Sequence, residues 1–249
     1  MVFSRNVQGQ TLTFGVSGLL RHSNLVMWDR ETESWWQQGE LRGIVGAHAG
    51  TLLTPLPSLV LTWRDFKAAY PGGTVLSRDS HPRYRDRDIY GVNPYEYYDS
   101  ASRPFLFSGE LDRRLPAMER VVGVAMGGAA RAYPYTVLAE RRAVNDTVGG
   151  TPLVVLYEPS ALSTLSAPAI ADARAVGTAA VFAPEVGGRR LTFALRGEDI
   201  VDQETGSVWN VAGEAVSGPL QGRRLRPLLH HQALWFYWAT VHPDTPIYR

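Results

Sequence analysis

The chain has 249 residues, with 25 Lys and Arg against 24 Asp and Glu, 45% hydrophobic residues and no cysteine. No apolar run approaches the roughly 20 residues of a membrane-spanning helix, and a net charge of +1 argues against a nucleic-acid or other polyanion binder. The lack of cysteine excludes disulfide scaffolds, thiolate nucleophiles and cysteine-ligated metals. The opening residues MVFSRNVQGQTLTF show neither the basic nor the apolar stretch of an export signal.

Glycine (24) and proline (16) are scattered along the chain, which favours short strands joined by turns over long helices. In chain order, β-branched and aromatic runs predict strands over 11–16, 25–29, 121–126, 129–133, 153–157, 179–183 and 191–195. Gly127-Gly128 and Gly149-Gly150 each separate two apolar runs and predict hairpin turns. Helices are few: 63–69, 135–141 and 233–241, the first and last presenting two aromatics three residues apart (Trp63 and Phe66; Trp235 and Trp238). That stripe predicts a helix packed on a sheet. Residues 160–178, rich in small side chains, read as a mobile surface loop.

The chain contains a repeat. VFSRNVQGQTLTF, from Val2 to Phe14, lines up with VFAPEVGGRRLTF, from Val181 to Phe193, with seven of thirteen positions identical. DRETESWW (29–36) then matches DQETGSVW (202–209), and Trp63 falls on Trp235. The register change means six extra residues in the first copy between Phe14 and Asp29, a place where function can be added to a duplicated frame. The predicted fold is mainly β, with two pseudo-repeated lobes, each carrying a short aromatic-faced helix. The organisation is a first module over 1–76, a Tyr/Arg/Asp-rich strap over 77–118 and a second module over 119–249. Nothing in the first copy corresponds to residues 120–180. The chain therefore reads as one and a half modules: a fragment, or a half-module completed by another part of the fold or by a second chain. An open strand edge in the first copy would favour self-association.

Candidate chemistry is sparse. The repeated acidic turns place Asp29 and Glu31 on Asp202 and Glu204, each followed by a tryptophan. Paired carboxylates suit acid/base catalysis or calcium, yet a turn needed by both copies also suits folding alone. GVSGL (15–19) falls one residue short of a nucleophile elbow, leaving Ser17, with His22 and Asp29 nearby in sequence, as a weak hydrolase constellation. No histidine pair has metal-ligand spacing, so no metal site is assigned. His22 and His48 belong to the first copy alone, and adjacent His230 and His231 would face opposite ways on a strand. Strap tyrosines, Tyr84 and Tyr90 among them with Tyr95, Tyr97 and Tyr98, either stack on a sugar or aromatic ligand or tie the lobes together. The candidate catalytic residues are thus Ser17, His22, Asp29 and Glu31. The candidate ligand contacts are Asn24, His48, Tyr84, Tyr90, Asp202 and Glu204, around an inter-lobe groove. The cofactor is left unassigned, and the ligand is an unidentified small molecule or glycan.

The ordered segments ARAYP (130–134), VNDTVGG (144–150), LTFGVSGLL (12–20), LVMWDRETESWW (25–36), SGPLQG (217–222) and HPDT (242–245) resemble the uncharacterised DUF3179 family over essentially the whole chain. The strap motif LSRDSHPRYRDRDIYG adds to the resemblance. It implies two tandem modules and a cell-envelope or extracellular setting, with no established activity. Relatives carry a histidine before VND and a Cys-Pro-Leu-Cys-like segment in the first module; here the second module reads Ala139-Glu140-Arg141 and Tyr157-Glu158-Pro159-Ser160 at those places. The resemblance leaves two readings: a ligand-binding or structural protein with an inter-lobe groove, or a hydrolase or metal-dependent enzyme acting there.

Overall fold

Alternation of apolar and polar residues from Phe14 and a tight turn at His22–Ser23 produce a hairpin, Phe14–Arg21 against Asn24–Asp29. Trp35–Gln37 and Arg42–Val45 extend it to a four-stranded antiparallel sheet. The computed structural model describes residues 1–77, 79 and 91–249. Within these, a second sheet has the same order: Phe193–Arg196, Asp199–Asp202, Val208–Trp209 and Ala215–Ser217. Each sheet is preceded by a two-residue-stranded hairpin, Asn6–Val7 with Gln10–Thr11 and Glu185–Val186 with Arg189–Arg190. The matched strands also share a register: Phe3 pairs with Pro55 as Phe182 pairs with Pro227. Leu12, Met27, Trp36 and Leu53 form the core of the N-terminal lobe. Leu191, Phe193, Ile200, Trp209 and Leu225 form part of that of the C-terminal lobe.

The C-terminal half adds two further sheets. Arg120–Met126 lies between Ala129–Pro134 and His231–Leu234, and Ala143–Val148, Thr151–Glu158, Thr178–Ala183 and Arg226–Pro227 follow in order. Both diglycine turns have positive φ at both positions. They also abut, because a Cβ on Gly127 would overlap the Gly149 carbonyl, so only glycine fits.

The molecule is mainly β, with three α-helices among the described residues: α1 (Trp63–Ala69), α2 (Tyr135–Arg141) and α3 (Trp235–Val241). The last begins two residues later than its sequence suggests, because Ala233 and Leu234 are held in the sheet opposite Val121 and Arg120. Two predicted strands are interrupted. The chain breaks from pairing at Leu12–Thr13 and Leu191–Thr192, where Leu12 and Leu191 turn into their cores. The 160–178 segment is tied down rather than loose: Ser163 is buried and donates to Asp99 (2.6 Å), and Leu162 bridges to Ala175.

Helix α1 crosses to the other lobe. Arg64 donates to Ser160 Oγ (2.9 Å), Thr178 Oγ1 donates to the Val60 carbonyl (2.7 Å), and the Arg224 guanidinium sits 4.7 Å over the Tyr70 ring. No helix among the described residues is long and apolar enough to cross a membrane.

Candidate functional site

The acidic turns are hydrogen-bonded frames. Asp29 is fully buried; its carboxylate accepts from Trp36 Nε1 (2.8 Å), Thr32 N (2.7 Å) and Thr32 Oγ1 (2.8 Å). Asp202 repeats this with Trp209 Nε1 (2.9 Å), Thr205 N (2.6 Å) and Thr205 Oγ1 (2.8 Å). Burial by itself would raise the pKa of Asp29, but the bonds from Trp36 and Thr32 hold it below the ordinary carboxylate value. Glu31 and Glu204 close the same turns by accepting from Thr13 N (2.7 Å) and Thr192 N (2.8 Å). Each carboxylate is filled by neutral N–H and O–H donors, an arrangement that fixes a turn.

Of the other candidates only His48 stays beside an acidic turn, where its charge acts on Asp29; the rest scatter. Ser17 shapes a bulge in which Ser17, Gly18 and Leu19 stand opposite Val26 alone. Its Oγ donates to the Val26 carbonyl (2.5 Å) and accepts from Leu19 N (3.0 Å). His22 sits in the tip of the hairpin and Asp29 at its base, roughly 17–20 Å apart at about 3.3 Å per residue. His48 is buried, its ring 5.4 Å from that of Trp36, and its backbone N–H reaches Ser34 Oγ (3.2 Å), as Leu220 N reaches Ser207 Oγ (2.9 Å). Ser17, His22, Asp29 and Glu31 are therefore not brought to one point, nor do Asp202 and Glu204 join them. Among the described residues no three His, Asp or Glu side chains cluster as metal ligands. Tyr84 and Tyr90 lie outside the described residues.

Asn24 is where a candidate meets a cavity. The first hairpin spans Phe14 to Asp29 and the second Phe193 to Asp202; both have two-residue turns, so the six extra residues all lengthen strands. The longer hairpin carries Ser23 and Asn24 to the strap and the C-terminal lobe, where Ser23 Oγ donates to the Phe105 carbonyl (2.5 Å). There a cavity of about 330 Å3 opens between the lobes. Ser23, Asn24, Gln38 and Gly39 line it from one side, Tyr98 from the strap, and His231, Gln232, Phe236 and Tyr237 from the other.

Its floor is ordered by amides. Asn24 Oδ1 accepts from Gln37 Nε2 (3.0 Å) and Gly39 N (2.8 Å), which orients the Asn24 amide nitrogen away from both. Gln232 Nε2 donates to the Ala179 carbonyl (2.6 Å). Tyr237 packs on Gly39 so closely that a Cβ there would overlap its hydroxyl. Burial pushes the Tyr237 phenol up to about 12 against a lowering contribution from neighbouring Gln37, and the buried Tyr237 hydroxyl and Gln37 Oε1 make no well-aligned hydrogen bond. Burial also lowers His231 to about 4, so its imidazole is neutral at pH 7. Among the described residues no Asp, Glu, Lys or Arg side chain lines the cavity; Met1 also lines it, and its terminal ammonium adds to the lowering of His231. Of these residues, Asn24 was legible from the insertion. Gln38, His231, Gln232 and Tyr237 carry no motif and meet only through the packing of three distant segments.

A family model described as a protein of unknown function, DUF3179, matches residues 1–245. The chain belongs to the DUF3179 family. No curated protein and no solved structure shows significant similarity to it. The segments that mark it as a DUF3179 protein are joints of the fold. In ARAYP and VND, Arg131 and Tyr133 both bond Asp146 Oδ2 (2.8 and 2.9 Å), while Asn145 exchanges two hydrogen bonds with the Phe193 backbone (2.7 and 2.9 Å). In HPDT, Thr245 Oγ1 accepts from Trp238 Nε1 (3.2 Å), and the His242 ring lies 4.2 Å from that of Trp238.

Proposed function

We propose that this DUF3179 protein is an envelope-associated or extracellular binding protein that holds a small, uncharged, polyhydroxylated ligand, a saccharide, in the cavity between its lobes. The lobes are two copies of one module, 1–76 and 119–249, with the 77–118 strap between them. The envelope setting comes from the family resemblance, and cell fractionation checks it.

The single observation that carries the ligand class is the lining: three carboxamides (Asn24, Gln38, Gln232), hydroxyls of Ser23 and Tyr98, a neutral imidazole and aromatic rings, with no ionic side chain among the described residues and the Met1 ammonium at the edge. Carboxamides and hydroxyls donate and accept alike, which matches the mixed demands of sugar hydroxyls. Aromatic rings supply the apolar faces on which sugar C–H groups rest. A site so built discriminates against a ligand lacking the hydroxyls, because its own polar groups are then left unpaired.

The test is titration with neutral mono- and disaccharides, followed by amide chemical shifts and calorimetry. A saccharide should bind, and Asn24→Ala should weaken it roughly tenfold, the worth of about one hydrogen bond. Trimming the first hairpin by six residues, to the length of the second, should abolish binding while thermal unfolding stays cooperative. Charged analogues binding as well as neutral ones, or no neutral saccharide binding at all, would refute the proposal.

A further inference from the structure

Gln232 also lines a second, larger cavity of about 660 Å3, where residues 60–64 cross onto the C-terminal lobe. Its walls are largely apolar, with Leu61, Trp63, Leu162, Ile170 and Val176 among them, and among the described residues no Asp or Glu lines it. Two arginines do. Arg64 is compensated, with Asp65 at 3.3 Å and Glu158 at 3.9 Å. Arg120 is not compensated in full. Its guanidinium donates to Ser163 Oγ (3.1 Å) and stands 3.6 Å from Asp99 Oδ2, and that same oxygen pairs with Arg174 at 3.0 Å.

One buried carboxylate thus serves two guanidinium groups. Glu119, next in the chain, is engaged with Thr136 N (3.1 Å) and supplies no contact to them. Arg120 Nε and Asp99 Oδ1 are both buried with no hydrogen-bond partner. A quarter-exposed guanidinium that shares its carboxylate with Arg174, set among largely apolar walls, is a complement to an anion with an apolar body: the anion meets the exposed part of the guanidinium, and its body displaces water from the walls.

We propose that this second cavity binds a carboxylate carrying an apolar chain, of the size of a medium-chain fatty acid, with its head at Arg120 and its tail between Leu61, Leu162 and Ile170. The two cavities share Gln232, but the head contact at Arg120 and the tail contacts at Leu61, Leu162 and Ile170 take no part in the saccharide site. Its distinguishing property is discrimination by head-group charge at constant tail.

The test uses octanoate, 1-octanol and acetate on the intact protein, read by calorimetry and by the carboxyl resonance of [1-13C]octanoate. Octanoate should bind at least tenfold more tightly than octanol, and acetate should not bind measurably. The bound carboxyl should titrate below its free value, because the guanidinium favours the anion. Arg120→Gln should cost octanoate at least tenfold and leave octanol unchanged. Leu162→Asp, at a half-exposed wall position, should weaken both. The carboxyl titration needs no variant, so it decides the matter even where Arg120→Gln impairs folding. Equal binding of octanol and octanoate, a bound carboxyl that titrates at or above its free value, or no octanoate binding at millimolar concentration would overturn the proposal.

Discussion

The two hairpins, Phe14–Asp29 and Phe193–Asp202, agree at the base and differ at the tip. At the base, Phe14 meets Trp36 edge-on at 5.7 Å and Phe193 meets Trp209 at 5.6 Å, with interplanar angles of 77° and 76°. The buried aspartate, the threonine that caps it and the indole that donates to it recur bond for bond. At the tip, six extra residues make the first hairpin long enough to reach the strap and α3. Parts that recur are those any copy needs in order to fold. The part that does not recur reaches a cavity. Helices teach the same lesson with the roles reversed: Trp235 and Trp238 of α3 are buried, whereas Trp63 of α1, at the matched position, is 57% exposed beside the larger cavity.

The largest expected effect strikes what the hairpins share. Asp29→Ala or Asp202→Ala strands a buried indole N–H and the threonine donors, and each should destabilise by about 3 kcal/mol or more. Equal losses in urea denaturation would confirm that the two turns do the same job; a tolerant Asp29 would break the equivalence. The pH dependence has a definite sign. Because Asp29 titrates lower folded than unfolded, its contribution is present above the ordinary carboxylate value of 3.8 and is lost as pH falls through its depressed folded value. Asp29→Asn should therefore flatten the acid limb of the stability curve.

A middling effect probes what differs. Gly39 and Val211 are matched positions, each following a residue (Gln38, Asn210) whose carbonyl accepts from an amide three residues on. Only Gly39 lies under a tyrosine hydroxyl. Gly39→Ala should cost about 1–3 kcal/mol by overpacking against Tyr237. Tyr237→Phe in the same background should recover part of that loss.

The smallest effect concerns a strand edge. Ala179–Phe182 is paired with Thr151–Glu158 along one edge, while the matched Val2–Phe3 pairs, among the described residues, with Pro55–Leu56 alone. We infer that this edge supports self-association. Val2→Lys should reduce it several-fold in sedimentation velocity and change stability by no more than about 0.5 kcal/mol. Sedimentation that does not depend on concentration would remove the inference.

Local signals were strong where one segment satisfies itself. The turns at Gly127-Gly128 and Gly149-Gly150 need positive φ, and the aromatic spacing marks α1 at Trp63–Ala69. The acidic turns also announced themselves, because Asp, Thr, Ser and Trp at fixed spacing bond one another within eight residues. Signals were weak where the partner is remote. Ala233 and Leu234 continue a helical pattern, yet strand Arg120–Met126 claims them. Ser17 resembled a nucleophile and proved to be the pivot of a bulge, since which residue bulges depends on the register of the opposite strand.

The amino-acid sequence by itself determined the mainly β class, the two like acidic turns, the glycine turns and the extra length of one hairpin. Each of these follows from backbone preference or from short-range hydrogen bonding. Only the tertiary structure decided what that length is for. It set the amides of Asn24, Gln38 and Gln232 around one space, laid Tyr237 on Gly39, and left Arg120 sharing one carboxylate with Arg174. Those groupings join residues as much as 208 positions apart, as with Asn24 and Gln232. Burial and charge balance at such places depend on which distant surfaces meet, and no local pattern encodes that.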